Sequence, residues 1–318
     1  MCRRAFQDGG TDGHPFGIEP VGHAVADSRK VQRHAVLLNR FPCLGTVIHI
    51  EAPRFTEIQI PANVDRHVRE YFLKGMQKLY GIAVPVDYPE NNQFSIVQLT
   101  DTHIGPLLKK EWLQQVVDTT NSVSPDLIVL TGDYIDGTVE ALAEEVTPFA
   151  ELRAKHGVYG VTGNHEYYWG AEDWSSLLEK LHVTMLRNEH RVLSIGNDRL
   201  VIAGMPDRTE RRFGGEGPDI KATLQDAPEV PRILLEHQPR DAAAYAPYAD
   251  VHLSGHTHGG LMSFLQPIIA GFNNSFAAGA YAVNGMHLYV SPGTGLWSGF
   301  SCRIGVPSEI TRLVLRAG

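Results

Sequence analysis

An α/β fold with a largely parallel core sheet is what this sequence predicts, and three observations predict it. From Gln93 onward, short apolar runs alternate with stretches of helical spacing. Polar turn residues and glycines close the apolar runs, as they do where strands end in βαβ units. The overall composition, 318 residues with 43% hydrophobic and 20% charged, supplies the apolar material for a sizeable core.

The elements follow in order. "FSIVQLT" (94–100) reads as a strand, and "LLKKEWLQQVVDTTNSV" (107–123) as a helix with Leu108, Trp112, Val116 and Val117 on one stripe. "DLIVLTGD" (126–133) is the next strand, "TVEALAEEVTPFAELRAKH" (138–156) a helix, and "GVYGVTGN" (157–164) a strand. "AEDWSSLLEKL" (171–181) is a helix. Further strands are "HRVLSI", "RLVIAGM", "RILLEH", "VHLSGH" and "MHLYVS", and "EITRLVLR" alternates like a half-buried strand.

Texture changes near residue 90. Residues 1–90 read as an irregular N-terminal extension, and residues 91–318 as one α/β domain. In the extension, residues 66–81 are the one convincing helix, with Val68, Phe72, Met76 and Leu79 on a stripe, and the first thirty residues read as loosely ordered. The dispersed His14, His23, His34, His49 and His67 read as surface or structural residues. The apolar run "AVLLNRFPCLGTVIHI" (35–50) is interrupted by Arg40 and Pro42, too soon for a membrane span. "RRAF" and "REYFLKG" each resemble part of a twin-arginine export signal without its apolar region. The expected location is the cytoplasm, with peripheral membrane or exported forms as the alternatives; no transmembrane segment supports membrane association.

A net charge of −8 argues against general nucleic-acid binding, which needs a basic face. Cys2, Cys43 and Cys302 are odd in number and far apart, which fits neither a disulfide framework nor a zinc ribbon.

The polar residues at the strand ends carry the chemistry. "TDTHIG" holds Asp101 and His103, "TGDYIDG" holds Asp133, and "TGNHEYY" holds Asn164 and His165; "LLEHQP" ends in His237 and "LSGHTHGG" in His256 and His258. In open α/β sheets the carboxyl ends of strands share one edge, where ligands bind. Seven oxygen and nitrogen donors thus converge: Asp101, His103, Asp133, Asn164, His237, His256 and His258. Seven exceeds one tetrahedral zinc and suits two divalent ions sharing a bridging carboxylate. Hard to borderline donors without a thiolate fit Mn, Fe, Zn or Co. Taken singly, each motif is also an ordinary turn, and Asn164 also reads as the cap of the helix after it. The neighbouring glycines, Gly105, Gly132, Gly163, Gly255, Gly259 and Gly260, read as clearing space for a bulky substrate group.

The motifs "DTH", "GDY", "GNHE", "EHQP" and "GHTH" together resemble the calcineurin-like metallophosphoesterases, over about residues 93–316. "HQP…SGHTHGG…LYVSPGTG" resembles in particular their bacterial phosphodiesterase branch. The resemblance implies a four-layer αββα sandwich with a dimetal site at the C-terminal ends of the core strands. It implies Asp101, His103 and His258 on one metal, Asn164, His237 and His256 on the other, and Asp133 bridging them. It implies hydrolysis of a small phosphoester by a metal-bridging hydroxide, with His165 assisting the leaving group as acid or orienting a ligand. Two ions, two carboxylates and a hydroxide sum to about +1, which suits a phosphodiester monoanion. A phosphomonoesterase on the same site is the alternative within enzymes, and a non-catalytic metal-containing binding protein the alternative outside them. Glu166 reads as orienting groups behind the ligands, and Tyr167, Tyr168 and Trp169 as stacking or packing residues. Arg303 reads equally as a phosphate contact and a surface arginine, and "RTERRFGGEGPD" (208–219) as a solvated loop flanking the site.

Overall fold

Alternation along each strand dictates the layers. The computed structural model describes residues 36–38, 46–51, 93–196 and 198–316; the helix expected over 66–81 and the boundary near residue 90 lie outside them. In β3 (Gln93–Leu99) and β4 (Leu127–Leu130), Ile96, Leu127 and Val129 point one way and Val97, Leu99, Ile128 and Leu130 the other. The second set packs on helices: Leu113, Val116 and Val117 of α1 (Lys110–Ser122), and Trp174 and Leu178 of a later helix, Ala171–Lys180. The first set meets Ile202, Ile233, Leu235 and Leu253 of a second sheet. The outer face of that sheet presents Val201, Ala203 and Leu234 to Met205 and Tyr245, and Leu288 and Val290 to Ala242 and Ala246. Two sheets face each other and helices cover both outer faces.

Both sheets are mixed. One has seven strands in the order β1-β2-β13-β3-β4-β5-β6, with β1 Val36–Leu38, β2 Thr46–Glu51, β5 Val158–Gly160, β6 Val183–Met185 and β13 Thr311–Arg316. Its β3 to β6 run parallel, and β13 pairs antiparallel with both β2 and β3. The other has six in the order β11-β12-β10-β9-β8-β7: β7 Glu189–Ile195, β8 Asp198–Gly204, β9 Arg232–Leu235, β10 Val251–Ser254, β11 Gly279–Val283 and β12 Met286–Val290. Its β8, β9, β10 and β12 are parallel, and the antiparallel hairpin partners β7 and β11 close its two edges. The carboxyl ends of β3, β4, β5, β9 and β10 therefore meet across the two sheets, which carries the polar strand-end residues to one place.

Three differences from the sequence reading have local causes. The stretch 138–156 is not one helix but a turn of helix, Val139–Leu142, and a 3-10 segment, Thr147–Glu151, with Pro148 near the start of the second. Proline has no N–H to bond the Glu144 carbonyl four residues back, so a continuous helix is interrupted there. The apolar run at 35–50 contributes β1 and β2 to the seven-stranded sheet. Strands β6 and β11 are only three and five residues long, so their pattern does not stand out. Among the described residues, no helix is long and apolar enough to cross a membrane.

Candidate metal centre

Immediately after three core strands, β3, β4 and β10, the backbone turns sharply. Five of the seven predicted donors sit at positive φ: Asp101 at 51°, His103 at 46°, Asp133 at 55°, His256 at 70° and His258 at 48°. Left-handed backbone costs a non-glycine residue on the order of 1–3 kcal/mol, and such strain collects at functional sites. Each turn aims a side chain inward, and the donors are buried except His256, which is partly exposed.

The structure brings them into two adjoining groups. Asp101, His103 and His258 form one, and Asp133, His237 and His256 the other, with the donor atoms of each within 4.8 Å of one another. In the first, His258 Nε2 lies 3.4 Å from Asp101 Oδ1 and 3.0 Å from His103 Nε2. In the second, His237 Nε2 lies 3.1 Å from Asp133 Oδ2 and 3.3 Å from His256 Nδ1. Asp133 Oδ2 is also 3.9 Å from His103 Nε2, so its carboxylate stands between the groups. Asn164, the seventh predicted donor, begins the short helix Asn164–Trp169. Gly163 occupies the cap position, so Asn164 caps nothing, and its Oδ1 is buried without a hydrogen-bond partner.

Hydrogen bonds fix which ring nitrogens face inward. His237 Nδ1 lies 2.7 Å from the Thr131 carbonyl, which can only accept, so Nδ1 carries the hydrogen. His103 Nδ1 lies 3.0 Å from Asp136 Oδ1 and donates in the same way. Both rings then direct Nε2 toward carboxylates, the arrangement of metal-ligating histidines with their second nitrogen tied down. Burial pulls His237 down, but the charges of Asp133 and Asp101 lift it well above the usual imidazole range. A proton on Nε2 and a cation there are alternatives, so metal binding would displace that proton. Burial first, and the charge of His237 next, hold His256 down at about 4, and burial holds His258 well below its ordinary value. Both stay neutral at pH 7 with lone pairs to give. Two carboxylates and four histidines packed this closely fit a pair of divalent cations, and the unpartnered Asn164 Oδ1 is a further donor on the β5 loop.

His165 forms a third such group with His103 and Asp133, its donor atom within 4.8 Å of theirs. Its backbone N–H donates to Asp133 Oδ1 at 2.9 Å, its Nε2 is 3.9 Å from Asp133 Oδ2, and its Nδ1 is 2.6 Å from Asp136 Oδ1. Burial pulls its pKa down, yet the Asp136 hydrogen bond and the charges of Asp133, Asp136 and Glu166 outweigh that and lift it to about 9.

Asp136 was not foreseen. It stands three residues beyond Asp133 in "GDYIDG", and its carboxylate joins His103, His165 and the Ser298 hydroxyl, 2.6 Å away. Burial raises its pKa, but those hydrogen bonds bring it well below the ordinary carboxylate value. Glu166 is fully buried and accepts three backbone N–H groups, from Gly163 at 2.6 Å, Tyr134 at 2.8 Å and Asp133 at 3.0 Å. It ties the β4 and β5 loops together. Burial and the charge of Asp133 lift it to about 7.

Other expectations change. Arg303 is not a free surface residue: its guanidinium donates to the carbonyls of Gly295 at 2.6 Å and Pro292 at 2.8 Å, beside His258. Tyr167 is buried, its hydroxyl 3.0 Å from Thr162 Oγ1, whereas Tyr168 is half exposed at the site's rim. Several glycines make room for the donors rather than for substrate. A Cβ on Gly163 would collide with Asp133 Oδ1, and one on Gly255 with Asp101 Oδ2 and Thr100 Oγ1. Gly255→Ala should therefore displace Asp101 and weaken metal binding by about tenfold or more, the scale of disturbing a ligand's support; a manganese titration by calorimetry reads it.

Against known families, residues 94–260 match the model described as calcineurin-like phosphoesterase. The chain belongs to that family. This phosphoesterase-family chain is 36% identical over 252 residues to a Danio rerio "Transmembrane protein with metallophosphoesterase domain", covering 75% of this chain and 57% of that protein. It is 34% identical over 229 residues to an uncharacterized metallophosphoesterase of Helicobacter pylori, covering 71% of this chain and 60% of the relative. It is 32% identical over 233 residues to the uncharacterized metallophosphoesterase YkuE of Bacillus subtilis, covering 70% and 79% respectively. The chain thus spans less than two thirds of the length of the first two of these relatives. Among solved structures it is similar to Haemophilus influenzae NAD nucleotidase, with a TM-score of 0.43 and 18% identity over 62% of this chain and 44% of that one.

Proposed function

We propose that the chain is a dimetal-dependent hydrolase of phosphoesters, with phosphodiesters as its preferred substrates. The observation that carries this reading is the buried Asp133 carboxylate, standing between His103 on one side and His237 on the other, 3.9 and 3.1 Å away. Asp101, His103 and His258 would hold one divalent ion and Asn164, His237 and His256 the other, with Asp133 shared between them. Bound there, two such ions would neutralise phosphoryl oxygens and make a water acidic enough to attack at neutral pH.

The chain's own groups do the rest. Asp136 holds His165 through Nδ1, which leaves Nε2 directed into the site. His165 Nε2 hands a proton to the leaving oxygen, where negative charge develops as the ester bond breaks. Glu166 keeps the Asp133 and Gly163 backbones in register, so the shared carboxylate and Asn164 hold their positions. Preference for a diester is supported by charge and by room. Two ions, Asp101, Asp133 and the attacking hydroxide would sum to about +1, and the His165–Asp136 pair adds nothing net, so a monoanion is well matched. A cavity of about 410 Å³ beside Asn164 and His256 gives space for a second ester arm.

Hydrolysis of bis-p-nitrophenyl phosphate and of p-nitrophenyl phosphate, by chelator-stripped protein reloaded with Mn²⁺, tests the reading. The expected result is activity that returns with metal and a higher kcat/KM for the diester. A higher value for the monoester reverses the preference, and metal uptake without turnover of either ester overturns the hydrolase reading.

A further inference from the structure

The cavity beside Asn164 and His256 is lined by four arginines, Arg208, Arg211, Arg212 and Arg240, in a chain whose net charge is −8. They come from two turns that flank the metal-ligand loops, Arg208–Phe213 after β8 and Pro239–Asp241 after His237. Two of the four are engaged. Arg208 Nη1 is 3.3 Å from Asp241 Oδ2, and Arg211 donates to the carbonyls of Glu216 and Pro218, both at 3.1 Å. Of the neighbouring carboxylates, Glu210 accepts from Arg187 Nε and the Gly217 N–H, and Asp207 accepts through Oδ1 from the Thr209 N–H and Gln238 Nε2, while its buried Oδ2 has no hydrogen-bond partner. Among the described residues, no ion pair reaches Arg212 or Arg240.

Guanidinium groups crowded without counter-charge repel one another, and a bound anion relieves that repulsion. Their planar forks match phosphate oxygens two at a time, and two free cations suit a dianionic phosphate better than a single carboxylate. The cavity is continuous with the metal centre, because Asn164 and His256 form part of its wall. We propose that it is a subsite for a second phosphate, so that the substrate is a phosphoester carrying another phosphate group away from the bond that is cut. This rests on the hydrolase reading above and narrows it.

The test compares fructose 1,6-bisphosphate with fructose 6-phosphate as competitors of bis-p-nitrophenyl phosphate hydrolysis by the manganese-loaded protein. The two probes differ by one phosphate. The bisphosphate should bind about tenfold more tightly or better, the scale of charge-assisted hydrogen bonds to a guanidinium. In the Arg212→Ala/Arg240→Ala protein the two inhibition constants should converge, and Arg212→Lys/Arg240→Lys should retain most of the gap. The readout is a ratio, which a general loss of activity does not move. Equal constants in the unaltered protein, or a gap that survives the alanine pair, overturn the subsite. Failure to hydrolyse the diester bears instead on the hydrolase reading; calorimetric titration of the loaded protein with the same two sugar phosphates then gives the ratio directly.

Discussion

Asp133→Asn should abolish metal-dependent hydrolysis, with kcat/KM for bis-p-nitrophenyl phosphate falling by about 10³-fold or more, and should abolish most of the stabilisation that manganese gives. The side chain keeps its size and its acceptor for the His165 N–H, so the loop retains its shape. What is lost is the charge shared by the two groups of histidines, and one of two buried carboxylates that would offset the ions. A metal bound at 100 times its Kd stabilises the native state by roughly 2.7 kcal/mol. The measurement is the difference in Tm between loaded and stripped protein, for the native chain and the variant. The stripped variant's own Tm is not decisive, because the change also takes from His237 its closest counter-charge. A variant that keeps both its metal-induced Tm rise and its activity would show that Asp133 does not bridge.

How much of this was legible in the sequence depends on the range of each interaction. The core strands were legible because burial on both faces writes continuous apolar runs such as "LIVL", and parallel topology then places every run's end at one edge. That is why the positions of Asp101, Asp133, Asn164 and the histidines could be read together from strand ends alone. Asp136 could not be read that way: its partners, His165 and Ser298, lie 29 and 162 residues away, and nothing local marks an aspartate that binds two histidines. The signal that was there is a second carboxylate closing "GDYIDG". The arginine cavity was hidden for the same reason, since Arg240 reaches it from a different loop than Arg208, Arg211 and Arg212. The glycines show a subtler gap. Their small size was evident, but not that Gly163 and Gly255 give way to carboxylates rather than to a ligand. Nor does composition disclose that five donors sit at positive φ, because backbone strain is set by the packing around the loops.

Glu166→Ala should be the most damaging change that alters no predicted metal ligand itself. Three backbone N–H groups, from Gly163, Asp133 and Tyr134, would lose their acceptor at a fully buried position. Each buried donor left unsatisfied costs about 1–3 kcal/mol, although relaxation of the loops and entry of water keep the sum below three full penalties. A net loss of about 3 kcal/mol corresponds to a Tm lower by roughly 6 °C or more. The same substitution frees the β5 loop, which carries Asn164 and His165, from the β4 loop, which carries Asp133. Catalysis should therefore fall further than the folded fraction, by about 10- to 100-fold in kcat at a temperature where the variant is fully folded. Glu166→Gln should lie between, since its amide oxygen still accepts while its NH₂ confronts donors. Circular dichroism melts and single-temperature kinetics on both variants separate the two effects. A melt lowered without a change in kcat would make Glu166 a structural staple alone. A fall in kcat that tracks the number of lost acceptors would show that the spacing between the two loops sets the geometry of the site.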